Sequence, residues 1–257
     1  MEKLSAKNYE CIPLKWDTEY FGISSARVNL LGVADEDDIR QIMEFCQAYE
    51  FVTIANLYNR KENNLWIGQS TKAYLTDINM QFVKQVSDIS NYNGNIRISN
   101  NFDLSERILD IAKEAFVYSR FFNDPRLDAA LAAKIYRQWT LEAFKREDKY
   151  FCVYFKDKIA AGFLLFNIDK GADCSLIELV AVDKRYRGQK IGVSLLNASE
   201  TFIGKAGISK IKVGTQGDNT AAMQLYTNCG FKYSYCSSIY HYWPKSKREY
   251  IKTVTKI

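Results

Sequence analysis

Apolar and polar positions along this chain change period several times, and each change marks an element. Phe51 to Leu57 (Phe-Val-Thr-Ile-Ala-Asn-Leu) is rich in β formers and predicts a buried strand. Just before it, Asp35 to Ala48 sets Ile39, Ile42, Met43 and Cys46 at helical spacing behind an acidic first turn, which predicts a helix. Ala73 to Val86 predicts a further strand region. Ser87 to Gly94 is a polar stretch holding Asn, Asp, Ser and Gly, and it predicts a domain boundary. The expected division is a smaller mixed α/β domain over 1–95 and a second domain over 96–257.

Beyond residue 96 the pattern sharpens. Asp103 and Glu106 have capping-box spacing, with Leu104, Ile108, Ala112, Ala115 and Phe116 following on one helical face. Leu127 to Lys145 predicts a second helix. Tyr150 to Phe155 and Ile159 to Asn167, joined by Lys156-Asp157-Lys158, predict a hairpin. Cys174 to Val182 predicts a strand, Gly188 to Ala206 a helix, Ile208 to Val213 a strand, Asn219 to Cys229 a helix and Phe231 to Tyr242 a long strand. The order α-α-β-β-β-α-β-α-β implies an α/β chain of the α+β kind, a mixed sheet covered by helices.

Composition narrows the chemistry. The 257 residues suit one large or two modest domains, and 47% hydrophobic content suits a real core. The formal charge is +5, but Lys and Arg are scattered, apart from Lys184 to Lys190 and the tail Lys245 to Arg248. That distribution fits solubility or a polyanionic small ligand and argues against a nucleic-acid surface. No apolar signal core opens the chain, and no run approaches a membrane span. A cytoplasmic protein without a membrane partner is expected. Six cysteines without a CxxC pair read as reduced core residues. His241 is the only histidine, within Tyr240-His-Tyr242-Trp243. It reads as a strand residue, so a zinc site and a histidine-dependent hydrolase are both disfavoured, and no metal is expected.

Two segments carry candidate chemistry. The strand Glu178 to Val182 runs into Asp183-Lys-Arg-Tyr-Arg-Gly-Gln-Lys190, where a helix begins. A helix start offers unpaired N–H groups and the positive end of the dipole. Gly188 and Gly192 let the backbone approach a bulky anion, and Arg187 and Lys190 add charge. The pattern suits a pyrophosphate, although a glycine-containing turn with solvated basic residues has the same letters. In the second segment, Asn219 suits a helix N-cap. Tyr226 follows two turns later on about the same face, beside whatever the first site holds. Its hydroxyl could protonate a departing thiolate. Alone, a packed tyrosine on an amphipathic helix reads equally well.

Together the segments resemble the GNAT superfamily of N-acetyltransferases. Leu179 to Gly192 is similar to the acetyl-CoA motif R/Q-x-x-G-x-G/A, with Arg187 and Gly192 matching and Lys190 standing in place of the middle glycine. Asn219, Ala222, Tyr226 and Gly230-Phe231 are similar to the second signature, and the resemblance spans roughly 105–243. It implies a GNAT fold preceded by the smaller N-terminal domain. It also implies acyl-CoA as co-substrate, bound by Val180, Ala181, Val182, Arg187, Gly188, Gln189, Lys190, Ile191, Gly192, Asn219, Ala222 and Tyr226. Backbone groups of Val180 and Val182 would hold the pantetheine arm, and Tyr226 would be the general acid. A narrower resemblance is to the dTDP-fucosamine acetyltransferase group. It rests on Trp16-Asp-Thr-Glu-Tyr-Phe-Gly22, on Tyr118 to Asp124 with Tyr136 and Trp139, and on Val213-Gly-Thr-Gln-Gly-Asp-Asn-Thr-Ala-Ala222. It implies a dTDP-linked amino sugar as acceptor, in O-antigen, lipopolysaccharide or capsule synthesis.

Direct attack of an amine on a thioester needs a proton acceptor, an oxyanion donor and an acid. The N–H of Val180 and the hydroxyl of Tyr226 are candidates for the last two. Glu178 is the candidate base, placed by strand alternation on the face of Val180 and Val182. Thr215 and Gln216, with Arg120, Phe121 and Asn123 from the loop between the first two helices, are expected to line the acceptor pocket. The acyl group is acetyl or a larger one such as 3-hydroxybutanoyl. Long exposed strands in the superfamily pair into dimers, so a homodimer is also an expectation. Two alternatives stay open on sequence alone, namely a GNAT enzyme acting on a protein or small-molecule amine, and a non-catalytic acyl-CoA-binding module.

Overall fold

The computed structural model describes residues 2–87, 94–116 and 118–245. The first elements are β1 (Leu4–Ser5), β2 (Tyr9–Pro13), α1 (Lys15–Phe21), β3 (Ser25–Leu30), α2 (Glu36–Gln47), β4 (Phe51–Asn56) and α3 (Lys61–Ser70). Next come β5 (Tyr74–Gln85), β6 (Ile96–Ser99), α4 (Glu106–Ala115), α5 (Ala129–Ala132), α6 (Ile135–Ala143), β7 (Lys149–Lys156) and β8 (Ile159–Asp169). The last are β9 (Cys174–Val182), α7 (Ile191–Lys205), β10 (Lys210–Gln216), α8 (Thr220–Asn228) and β11 (Lys232–Tyr242). Class and sheet type are the mixed α/β expected. The chain forms two compact units, 1–76 with 237–257, and 77–236. The division falls at Thr76/Asp77, where residues 79–85 of β5 pair with β10 and the end of β11 returns to β4. Of the polar boundary stretch, 88–93 lie outside the described residues, as do 246–248 of the basic tail.

In the first unit, α2 connects the parallel pair β3/β4, while β2/β3 and β4/β11 are antiparallel. The acidic start of α2 is a capping box between Asp35 and Asp38, and its apolar stripe buries Ile42, Phe45 and Cys46 against Val28, Leu30 and Ile54. The sequence reading gave this region one helix, whereas α1 and α3 are also present. Their sequences carry weak apolar periodicity, and no residue of α1 is fully buried. Wholly buried His241 does lie in a strand, edge-on to Phe51 with centroids 4.8 Å apart.

In the second unit the strands run β5-β10-β9-β8-β7-β6, with β9/β10 parallel and the other pairs antiparallel. The β7–β8 hairpin turns through Asp157 and Lys158, both at positive φ, the geometry of a two-residue hairpin loop. α4 is capped by Ser105, which accepts from the Ile108 amide, so the expected Asp103 box is replaced and Leu104 is left 55% exposed before the helix. The single helix expected over Leu127 to Lys145 is two, α5 and α6, broken at Ala133 and Lys134. Ile177, Leu195, Leu196, Ile203, Ile211, Val213 and Phe231 form a core under α7 and α8.

Candidate active site

The turn from β9 into α7 is held by Asp183. Its carboxylate accepts from the Arg185 amide at 2.8 Å, pairs with the Arg185 guanidinium at 3.0 Å, and also pairs with Arg107 of α4. Gly188 has φ +77°, and Lys190, the residue before the helix, has φ +57° and ψ +18°. Lys190 thus takes the left-handed backbone that a glycine would take at that motif position. It offers no side-chain cap to α7, whereas Asn219 caps α8 by accepting from the Ala222 amide. The first-turn N–H groups of the fifteen-residue α7 therefore have no side-chain partner and face outward with the positive end of the dipole.

Beside this helix start β9 and β10 part. Their pairing runs only from Cys174↔Lys210 to Ile177↔Val213, leaving the β9 edge free from Glu178 onward. On its other edge, β9 carries a bulge against β8, where Leu165 pairs with Leu179 and Phe166 with Ile177. Glu178 is the extra residue. The bulge breaks the alternation, so Ile177 shares the α7 face with Val180 and Val182. Glu178 therefore does not lie on the face of Val180 and Val182 as expected. It pairs with Lys149, whose side chain is largely buried.

The parting opens a cleft of about 580 Å³, within the range of small-molecule sites. Val180, Ala181 and Val182 form one wall, and Arg187, Gly188, Lys190, Ile191 and Gly192 another. Asn219, Ala222 and Leu225 of α8 close a third side, and Ala115 and Tyr118 stand at the end of α4. Gly192 lets α8 approach, since a Cβ there would sit 3.2 Å from Leu225. Gln189 does not line the cleft. Its side chain accepts from Lys156 Nζ at 2.6 Å, which brings a further cation to the rim. Tyr226 does not line it either. Its ring is 5% exposed and packs between Phe82 and Phe231, each 5.9 Å away by centroid, and burial pushes its phenol well above the ordinary range. The two-turn spacing from Asn219 holds, but Ala222 and Leu225 turn toward the cleft in place of Tyr226.

Residues 106–231 match the acetyltransferase (GNAT) family. The chain carries a GNAT acetyltransferase domain. It is similar to the spore coat polysaccharide biosynthesis protein SpsD of Bacillus subtilis (strain 168), 28% identical over 143 residues, which are 54% of this chain and 48% of that protein. The chain thus aligns with about half the length of that curated relative. Among solved structures it is similar to a GCN5-related N-acetyltransferase from Sphaerobacter thermophilus (TM-score 0.59, 14% identity, 94% of this chain and 78% of that one). It is also similar to one from Kribbella flavida (TM-score 0.63, 10% identity, 93% and 88%). These two establish the fold. Among the described residues no helix is long and apolar enough to cross a membrane.

None of the residues expected around the acceptor lines the cleft. Phe121 is core, 1% exposed and edge-on to Trp139, with the Arg120 guanidinium 4.2 Å above its ring. Asn123 is at the surface. Thr215 is buried, whereas Gln216, next along the strand, points to the other face. One group on that second face was absent from the sequence reading. Asp77 of β5 has neighbouring charges at Arg120 and Asp218 and lies near the backbone amides of Ile78 and Gly217, the latter of which donates to the Ile78 carbonyl at 2.7 Å. Burial pushes its carboxyl up to about 6, against the lowering by Arg120. A lone aspartate in a strand-like stretch carries no sequence signal, and only the fold brings Arg120 and Asp218 to it.

Proposed function

We propose that this protein transfers an acyl group from coenzyme A to the amine of a dTDP-linked amino-6-deoxyhexose, as a step in surface polysaccharide synthesis. The observation that carries the acyl-CoA half is the start of α7, uncapped by any side chain and opening on the cleft where β9 and β10 part. The N–H groups of Ile191, Gly192 and Val193, with Arg187 and Lys190, form a cradle for a pyrophosphate. The free edge of β9 offers backbone groups of Val180 and Val182 to the pantetheine arm, and the Val180 N–H to the developing oxyanion. Tyr226 stays protonated by its burial but is packed behind the cleft wall formed by Ala222 and Leu225, so its assignment to the departing thiolate rests on the family resemblance and is what Tyr226→Phe tests. Glu178 is engaged by Lys149 and takes no part in this scheme.

The nucleotide-sugar half is supported by the polysaccharide role printed for SpsD and by the segments Trp16 to Gly22 and Val213 to Ala222. Hydroxyl-rich acceptors also suit the polar side chains Asn79, Gln81 and Gln216 beside the end of β10. The donor is acetyl-CoA or a larger acyl-CoA such as 3-hydroxybutanoyl-CoA. The test is thiol release from each donor with a panel of dTDP-3-amino and dTDP-4-amino-6-deoxyhexoses, alongside Tyr226→Phe. Turnover on one sugar, cut by about 10²-fold or more in the variant, is expected. Intact CoA binding with no turnover across the panel would refute the sugar assignment, and a full rate in Tyr226→Phe would remove the acid.

A further inference from the structure

Acyl transfer to an amine that is an ammonium ion in water requires a taker for one proton, and the far face of the β5–β10 pair carries a group suited to that task. Side chains of β5 alternate. Met80 and Phe82 pack into the core under α7 and α8, and Lys84 reaches Glu200 of α7 at 2.5 Å. Asp77, Asn79 and Gln81 therefore project from the opposite face. On paired β10, Ile211 and Val213 face that same core, so Gly214 and Gln216 share the face of Asp77. Arg120 and Tyr136 approach from the α4–α6 side, close enough for both Asp77 and Arg120 to act on the Tyr136 phenol.

Two short stretches of chain tie Asp77 to the cleft. Gly217, whose amide donates to the carbonyl of Ile78 next to Asp77 at 2.7 Å, is two residues from Asn219, which lines the cleft. Arg120, the cation beside it, is two residues from cleft-lining Tyr118. Asp77 lies two residues before Asn79, whose partner Gln216 ends β10 well past Val213, where β10 has already left β9. The aspartate is half-buried and stands outside the lining of the cleft itself.

We propose that Asp77 is the general base of the acyl transfer, its carboxylate taking a proton from the acceptor ammonium on the face of the sheet opposite Tyr226. The inference rests on the N-acyltransferase reading and is independent of which sugar is used. The steps balance. The ammonium gives one proton to the Asp77 carboxylate and becomes a neutral amine. The nitrogen lone pair forms the C–N bond to the thioester carbonyl carbon, and the C–S bond breaks with its electron pair on sulfur. Tyr226 gives its proton to sulfur, the second nitrogen proton passes through water to the phenolate this leaves, and Asp77 returns its proton to water. Three groups face Asp77, Arg120 from the α4–α5 connection, Tyr136 from α6 and Asp218 from the β10–α8 turn. Burial and Asp218 raise its proton affinity, Arg120 and the two backbone amides lower it, and the balance stands at about 6. Such a carboxylate is mostly ionised at pH 7 and is a stronger base than an ordinary aspartate.

The test uses the full chain, acetyl-CoA, and any amine of the panel that the wild type turns over, with rates measured from pH 5 to 9. Wild-type kcat/KM should fall tenfold per pH unit below about 6. Asp77→Asn should lose about 10²-fold or more at neutral pH while binding acetyl-CoA as the wild type does. Its deficit should shrink as rising pH deprotonates the amine without help, a recovery that a merely structural defect would not give. Asp77→Glu should retain more activity than Asp77→Asn. An Asp77→Asn rate near wild type with an unchanged acid limb overturns the proposal. Carbon-13 NMR of the aspartate carboxyls, with the resonance assigned through Asp77→Asn, separates this inference from the acceptor reading. Titration near 6 supports the base whatever the acceptor, and titration in the ordinary aspartate range refutes it.

Discussion

Lys190 combines a backbone conformation suited to glycine with a charge that glycine lacks, and two substitutions separate the contributions. At φ +57° a side chain's Cβ crowds the following carbonyl, at a cost of about 1–2 kcal/mol that glycine escapes. Glycine in turn loses more chain entropy on folding, by about 0.5–1 kcal/mol relative to alanine. Lys190→Ala removes the charge and keeps the strain, while Lys190→Gly removes both. Neither deletes a contact of α7, because Lys190 gives that helix no side-chain cap. Lys190→Gly should therefore be more stable than Lys190→Ala by about 0.5–1 kcal/mol, which shifts the melting temperature of a chain this size by roughly 1–4 °C. Both lose an exposed ammonium beside the bound phosphates, an interaction of about 1 kcal/mol at such a site, so acetyl-CoA should bind each about fivefold more weakly. Scanning calorimetry of the ligand-free variants and titration with acetyl-CoA read the two effects separately. An alanine variant as stable as the glycine variant would refute the strain argument. Unchanged affinity in both would remove Lys190 from the phosphate cradle.

Three further outcomes follow from the packing. At Gly162 a Cβ would stand 2.9 Å from the Ala181 carbonyl oxygen and 3.2 Å from Ile191, so Gly162→Ala should cost about 1–3 kcal/mol in urea unfolding, and a neutral result would contradict the β8–β9 spacing. The Lys84–Glu200 pair is nearly buried, at 14% and 6% side-chain exposure, so Lys84→Met should cost about 3–5 kcal/mol by stranding a carboxylate. The double change to Met at both positions should recover most of that loss. Because the folded state raises the proton affinity of Asp77, its ionised form destabilises the fold. Stability is fullest with the group protonated and falls as pH rises through about 6. Asp77→Asn should therefore be the more stable protein at pH 8, by about 1–2 kcal/mol after allowing for partial exposure, and this advantage should vanish toward pH 4 in paired thermal melts.

What the sequence discloses and what it hides differ for a physical reason. The core strands and helices of the GNAT domain were legible because one-sided burial imposes a period, as with Ile191, Leu195 and Ile203 on α7. The phosphate turn was legible because a strand end, glycine and a helix start must follow one another locally. Elements of weak amphipathic character, such as α1, left no such trace, and the return of β11 to β4 is a long-range pairing that no local pattern encodes. The site divides the same way. Arg187, Gly188, Lys190, Ile191, Gly192 and Asn219 come from two contiguous segments and line one cleft. Glu178 was misplaced on its strand because a bulge shifts alternation by one residue, and neither Leu179 nor Ile177 announces it. Thr215 and Gln216 adjoin in the sequence, yet adjacent strand residues must face opposite ways.

That parity also bears on how an acid and a base can serve one reaction without neutralising each other. Tyr226 and Asp77 are both organised by β5, through residues of opposite parity. Phe82 packs against the Tyr226 ring on the α8 side, and Asp77 points to the side of Arg120 and Tyr136. A one-residue slip of β5 against β10 would carry Asp77 under α8 and turn Phe82 outward. The register that forbids this runs unbroken from Gln85↔Lys210 to Asn79↔Gln216, and it is fixed by burial of Phe82 and by the Lys84–Glu200 pair. The sheet is closed there between β5 and β10 and open only between β10 and β9. The strands stand as a partition between the buried Tyr226 ring and the Asp77 side chain, beside the opening. The same residues that bury the core thus set the separation that the proposed chemistry requires.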